Sequence, residues 1–488
     1  MGTAFNRVDE RRRSLRQFAE AMTARPLLSL GFGLYWMQTI LLFQSPYLAL
    51  DPSPLAGASL LAGLPKGTAL LVASVVAYTL WGLRFRRANA LSQARWYFPA
   101  LCSALVLGAL LYCLYPQAGA LAVPTYLLGS VLIGGGTAHI CLETGRVFGT
   151  LGPLNVLFHG IVSLLIGTLG AFALSFAPAL VSKAVLVLLP VPMVACLWRT
   201  MAGLPRRELY ERGLDVAVQL PTKFLVTSLF QGLALGVMHC LLIDDFGSSA
   251  LVVSLGYLAA VALLLFCAIA VKNNFDILIY RIGFPLMAGG FFVVGLCGLG
   301  GLPYASGALL LDAGYGFQYL MTCSLCSYLA KGLGQPPVWI VGLGTACLLA
   351  GQLVGSVLDV LVADQVVLAV SVSFFLMLAA LIMTSGKNLR LGWGAVRPGA
   401  DDAMPAGVHR STLAACQLLA SECGLSPRET DVMVQTVRGF SRRAVAQELC
   451  LSEETVKTHL GRVYQKTQVH ARQELIELVA RREAAMGE

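Results

Sequence analysis

Twelve runs of about 20 mostly apolar residues fill the first 386 positions of the chain, and a helix of that length crosses the ~30 Å hydrocarbon layer of a bilayer. They cover approximately residues 27–49, 65–83, 97–115, 120–141, 154–175, 178–198, 223–243, 249–271, 282–300, 304–329, 338–358 and 363–384. Inside lipid each segment has to satisfy its own backbone polar groups, so the runs predict helices and exclude a soluble globular fold. Composition agrees: 57% of the 488 residues are hydrophobic and 12% charged, against roughly 45–50% and about 25% in soluble domains. The 13 cysteines do not suggest disulfides, because most, such as Cys102, Cys113, Cys240 and Cys347, fall within the apolar runs as small hydrophobes. Cys323 and Cys326 form a CxxC inside such a run, with no second pair or histidine at metal-ligand spacing; we expect core packing and no metal.

Charge placement predicts the orientation. Arg7, Arg11, Arg12, Arg13 and Arg16 precede the first run, which is too long for a signal-peptide core and has no small-residue cleavage site, so it reads as a retained span. Basic residues then recur in every second loop: Arg84, Arg86, Arg87 and Arg95; Arg146; Arg199, Arg206, Arg207 and Arg212; Lys272 and Arg281; Lys331; Lys387 and Arg390. The opposite loops hold Asp51, Asp244, Asp245, Asp359 and Asp364. Cytoplasmic loops carry the excess of Lys and Arg, which predicts a multi-pass membrane protein with both termini in the cytoplasm. The net charge of +9 matters less than this alternation.

The longest basic loop, Arg199–Thr222, follows span six and divides the spans into two sets of six. Short loops with a long central one resemble the major facilitator superfamily, whose halves are parallel repeats around a central cavity. That family carries a Gly, an Asp and a basic cluster after span two; here the loop reads WGLRFRRANA, with Gly82 and the arginines but no acidic residue.

Ionisable or amide groups within spans are functional-site hypotheses. Candidate ligand-binding residues are Tyr35, Gln38, His139, Glu143, Gln231, Asp312 and Gln318. His139 and Glu143, one turn apart, read either as a proton relay or as a paired helix end. Asp312 lies in mid-membrane or at the outer edge of a long span. The amides bind a ligand or join helices, and aromatic residues such as Tyr35 line a pocket or pack.

After Thr384 the sequence turns Gly-, Ala- and Pro-rich, a linker, with a short helix expected over Ser411–Ser421. The domains are therefore a basic N-terminal segment, 1–25; a membrane domain, 26–386; a linker, 387–422; and a C-terminal domain, 423–482. In that last domain Ser426, Pro427 and Glu429 make a helix start with a capping box, Gly439 suits its end, Ser441 caps a second helix and Ser452 a third, Glu453–Lys466. A fourth runs from Arg472 to Arg481. Four short helices with a tight turn between the second and third form a helix-turn-helix arrangement.

The segment from GLSPRETDVMV through LSEETVKTHL to VHARQELIELV resembles the LuxR-type DNA-binding domain. The resemblance implies that helix 453–466 enters the major groove, with Lys457 and Thr458 facing bases, Thr455, His459 and Arg462 on backbone or neighbouring bases, and Arg442, Arg443 and Lys466 attracting phosphates. It also implies a homodimer through the fourth helix, by Leu475, Leu478 and Val479. Gly461 stands where relatives carry a polar residue, Gln468 replaces a glycine after the recognition helix, and Ala471 replaces a serine cap.

The predicted fold class is all-α: a polytopic bundle of twelve helices in two facilitator-like halves, plus a four-helix LuxR-type domain. The whole chain resembles LuxR-type regulators with a twelve-span N-terminal domain, which implies a membrane-bound one-component regulator whose partners are promoter DNA, a small molecule and the lipid bilayer. The alternative is a facilitator-type transporter with a regulatory DNA-binding tail. No cofactor is implied, and without a histidine cluster, nucleophile motif or phosphate loop no enzyme is expected.

Overall fold

A computed structural model describes residues 14–44, 67–211, 220–243, 249–271, 275, 277–297, 301–332, 335–384, 410–437, 442, 445–446, 449, 451–485, and the chain falls into a membrane unit and a C-terminal unit. The helices of the membrane unit are α1 Pro26–Gln44, α2 Thr68–Leu83, α3 Phe85–Ser92, α4 Tyr97–Leu114, α5 Ala122–Phe148, α6 Pro153–Ser175, α7 Ala179–Leu188, α8 Pro190–Ala202, α9 Arg206–Tyr210, α10 Thr222–Ile243, α11 Ser249–Phe266, α12 Phe284–Cys297, α13 Gly301–Gly332, α14 Pro337–Leu361 and α15 Gln365–Thr384. π-helical stretches at Cys267–Val271 and Ile277–Gly283 flank the join between α11 and α12.

Among the described residues helix overlaps the expected apolar runs. Among the described residues nine helices are long and apolar enough to cross a membrane, or ten if the bent pair α2–α3 is one span; Pro26–Leu42 is shorter. The 32-residue α13 carries Asp312, Gln318 and Thr322 and is not among the nine. Large apolar side chains such as Leu128, Val131, Phe374 and Leu381 point outward, exposed, as a lipid-facing surface requires.

The pairing of helices repeats between the halves. α1 packs on α6 in the first half and α10 on α14 in the second; α4 packs on α7 and α8, and α12 on α15. The halves then meet through α2 on α14 and α6 on α11, two contacts exchanged by the same internal symmetry. The α10–α14 crossing shows why the sequence permits it. Gly232 and Gly236 face the backbone of Leu348 and Gln352, while Gly351 and Gly355 face that of Leu229 and Leu233. Small residues four apart on both helices let the backbones touch.

The chain turns by 95° between α2 and α3. Phe85, Ala88, Asn89 and Ser92 are then buried, while Arg86 and Arg87 remain exposed, so α3 is amphipathic with its arginines outward. At this arginine-bearing end the halves are in close contact: Gly82 lies against Gly342, Gly145 against Val341 and Gly149 against Pro337. Ser324 and Ser327 of α13 donate to the carbonyls of Pro153 (2.8 Å) and Leu151 (2.6 Å).

The C-terminal unit holds α16 Arg410–Glu422, α17 Pro427–Val437, α18 Glu453–Thr467 and α19 Arg472–Ala485. Its core joins Cys416 and Leu419 of α16 to Met433, Val463, Leu475 and Val479, so α16 packs inside the same core as the helices after Cys423. A second cluster seats Val456 and Leu460 against Val432, Val445 and Ala446.

Candidate functional site

The recognition helix is positioned from below. Ser452 caps α18, its hydroxyl accepting from the Thr455 amide at 3.0 Å, and Val456, Leu460 and Val463 anchor the inner face. Four residues left on the outside, Lys457, Thr458, Gly461 and Arg462, are exposed, while Thr455 and His459 are half-buried at the edge. Lys457 donates to Glu454 at 3.0 Å with both side chains mostly exposed, and such surface pairs are worth about 0–1 kcal/mol, so the ammonium is released at little cost. His459 leaves Nδ1 without a partner. Gln465 shares the exposed face; stepping seven residues from Thr458 would have found it.

The structure assigns Lys466 a further contact. Its ammonium donates to Glu429 at 2.8 Å and to the Gly424 carbonyl at 2.9 Å, tying α18 to the start of α17. Glu429 completes the capping box, accepting from the Ser426 amide at 2.8 Å while its own amide donates to the Ser426 hydroxyl at 3.3 Å. The Lys466 ammonium first, then the Ser426 amide, hold the Glu429 carboxyl down to about 2. Arg442 is exposed; Arg443 lies outside the described residues. Leu475 and Val479 are fully buried in the domain's own core, which corrects the expectation that they face a second copy; Leu478 is only partly buried against that core. Gln468 adopts φ 54°, ψ 35°, the left-handed conformation for which a glycine is the unstrained choice.

In the membrane unit the seven candidates separate. Tyr35 lines a cavity of about 870 Å³ empty volume together with Trp36, Tyr78, Tyr257, Tyr315 and Tyr319. A second cavity, about 510 Å³, lies nearer the arginine end and is lined by Phe32, Cys141, Thr144, Phe148, Phe224, Cys323 and Cys326 among others. Tyr319, Thr345 and Leu348 belong to both walls. Tyr35 hydrogen-bonds Tyr78 and Tyr319, and Cys141 hydrogen-bonds all three. These four side chains form a neutral partition between the two chambers.

His139 and Glu143 lie away from both chambers. Tyr97 OH meets His139 Nδ1 at 2.9 Å and Glu143 Oε1 at 3.3 Å. Arg146 closes on Glu143 through two bonds, Nε–Oε2 at 2.9 Å and Nη2–Oε1 at 3.2 Å; both side chains are almost completely buried. Arg146 also donates to Asn89 of α3 at 2.5 Å and to the Leu209 carbonyl of α9 at 3.3 Å, with its guanidinium 4.7 Å from the Tyr210 ring. Asn89 in turn donates to the Tyr210 carbonyl at 2.7 Å. A buried charge needs such complete pairing; the group fastens α3 and α9 to α5. Sequence reading picked out Glu143 without its partner, although Arg146 three residues on was the available sign.

Gln38, Gln318 and Asp312 are fully buried with no bond to their side-chain oxygens, and Asp312 packs against Gly256. Gln231 accepts from Thr322 at 3.2 Å. None of these four lines either chamber. The wall residues that pattern did not single out, Tyr78, Cys141 and Tyr257, sit in ordinary apolar runs and become special only when spans from both halves converge.

Residues 424–479 match the family of bacterial regulatory proteins, luxR family. No curated protein sequence matches the chain. The membrane part is similar in structure to the human organic anion transporter MFSD10 (TM-score 0.55, 16% identity, covering 74% of this chain and 98% of that one). It is also similar to the major facilitator superfamily proton:xylose symporter XylE (0.52, 14%, 75% and 95%) and to a bacterial homologue of the iron transporter ferroportin (0.52, 13%, 74% and 99%). At these identities the likeness establishes the fold, and the repeated helix pairings agree with it. The chain thus joins a membrane domain of the major facilitator fold to a C-terminal helix-turn-helix domain of the luxR family.

Proposed function

We propose that this chain is a membrane-bound one-component transcription regulator: the membrane domain binds a small molecule and the C-terminal domain binds promoter DNA. The luxR-family match at residues 424–479, on a chain whose remainder is a membrane bundle, carries the reading. Transport alone gives no use for a capped recognition helix. Basic loops at one end of the bundle support a bacterial inner-membrane location with both termini in the cytoplasm. Lys457 and Thr458 read bases, Thr455, His459 and Arg462 contact backbone or neighbouring bases, and Arg442, Arg443 and Lys466 add phosphate attraction. Two copies pair on two half-sites.

Ligand shifts the equilibrium only by binding one arrangement of the halves better than the other. The two interfaces on which they would rock are α2 on α14 and α6 on α11, and their movement reaches the tail through α15. The test is genome-wide transcript profiling of cells carrying the intact protein or Lys457→Ala, each exposed to a panel of small molecules. A few genes induced only with the intact protein support the regulator. Identical transcripts, with uptake of a compound still requiring the protein, favour the second reading, a transporter with a regulatory tail, to which the facilitator fold lends weight.

A further inference from the structure

Cys323 and Cys326 read in the sequence as core packing, but their exposure gives them another setting. From Leu311 to Ala330 every residue of α13 is buried except Thr322, Cys323 and Cys326, and all three line the chamber of about 510 Å³. The surface that these two thiols keep opens on that chamber. Cys141 lines it too, but its thiol is engaged by Tyr35, Tyr78 and Tyr319. Thr322 is also committed, donating to Gln231 Oε1 at 3.2 Å and to the Gln318 carbonyl at 3.0 Å. The wall therefore offers an occupant a pair of thiols three residues apart on one helix face.

Spacing and charge narrow what such a pair takes. Cβ atoms three residues apart on a helix lie about 5–6 Å from each other, wide of the ~3.8 Å of a relaxed disulfide. Two sulfurs each about 2.3 Å from one shared soft atom, the distance they keep from zinc, bridge that gap. Zinc itself takes four ligands at a structural site, and among the described residues no three metal-ligating side chains converge. The other lining residues are Thr, Gly, Phe, Tyr, Val and Leu, so an ion would enter with no counter-charge to meet. A neutral compound whose soft atom is satisfied by two sulfurs fits both conditions, and Phe32, Phe148 and Phe224 of the same wall receive an apolar group carried on it.

We infer that the Cys323 and Cys326 pair binds an uncharged organic compound of trivalent arsenic, an arsonous acid R–As(OH)2 with a small R group; this names a ligand class for the sensing role just proposed and rests on that role for its effect in the cell. Each arsenic–oxygen bond breaks as an arsenic–sulfur bond forms, and the departing hydroxyl leaves as water with the thiol proton. Two thiols thus release two waters, arsenic stays trivalent, the product is neutral, and no oxidant or reductant is consumed.

Methylarsonous acid tests this on the full-length protein in lipid nanodiscs at pH 7, with arsenic per chain measured after dialysis against excess glutathione, which strips arsenic held by single thiols. One arsenic per chain is expected to remain and to be released by the dithiol 2,3-dimercaptopropanol. Cys323→Ser and Cys326→Ser should each weaken retention about a hundredfold or more, because the second bond is then no longer intramolecular, while Cys141→Ser should retain arsenic as the unaltered chain does. Non-reducing digestion of the unaltered chain should place the arsenic on the peptide that carries Cys323 and Cys326, a reading that depends on no variant folding.

Arsenic retained on another peptide, or undiminished when both Cys323 and Cys326 are serine, overturns the inference. So does an unaltered chain that retains none, or loss of retention in Cys141→Ser. A transcript response to some other compound that depends on Lys457 would survive these results. Arsenic held at the pair with no Lys457-dependent transcript response to any compound would leave the site standing and remove the regulator, so the two failures are separable.

Discussion

Glu429 and Lys466 show how one side-chain pair sets the local behaviour of the tail. Glu429 is held down to about 2 in the folded domain, against 4.5 ordinarily, so its contribution to stability is complete above about pH 4.5 and is lost as the pH falls toward about 2. Amide hydrogen exchange over 427–437 in the full-length chain should accelerate through that window beyond its intrinsic rate. Lys466→Met should narrow the window and cost about 1.5 kcal/mol, the low end for hydrogen bonds to charged groups, because Lys466 is 38% exposed. The capping box of Ser426 and Glu429 was legible in the sequence, since its partners sit three residues apart. Lys466 is 37 residues from Glu429, and no local spacing announces a pair that only the fold brings together.

At the scale of elements, the apolar runs were legible as helices because lipid imposes one length and one hydrogen-bonding solution on a span, and among the described residues nine or ten helices meet that length and apolarity. What joins them was less legible. The loop WGLRFRRANA looked like a plain basic connection, yet burial of Phe85, Ala88, Asn89 and Ser92 makes it a helix lying across the bundle's end, with a 3-1-3 spacing that the arginines obscured. Arg146 then fixes α3 and α9 to α5. Arg146→Leu leaves Glu143 buried without its charge partner and should cost about 3–5 kcal/mol, read as a lowered thermal midpoint of the purified protein. Glu143→Leu in the same chain should restore much of that loss, since an apolar pair has no orphaned charge. Recovery would identify the group as a fastening; continued loss of ligand response in the restored double variant would give it a further role.

Across the whole membrane unit, the two halves were evident from one long basic loop, whereas the chambers were not, because their walls are drawn from spans far apart in sequence. The same holds for the close approach of Gly82 and Gly342, two glycines of different halves. Gly82→Leu puts a side chain where only backbone fits, and should part the halves at the arginine end. In cells this variant is expected to change transcription of the regulated genes without any added compound, checked by the same transcript profiling; an unchanged baseline with normal protein levels would mean that this contact does not hold the resting arrangement. Tyr319, Thr345 and Leu348 carry another consequence, since they face both chambers at once. An occupant that moves Tyr319 reshapes the neighbouring space, and two molecules seated on either side of it alter each other's affinity by the same factor. Under the sensing role proposed above, a receptor with such a shared wall would answer to combinations of two compounds and not to either concentration alone.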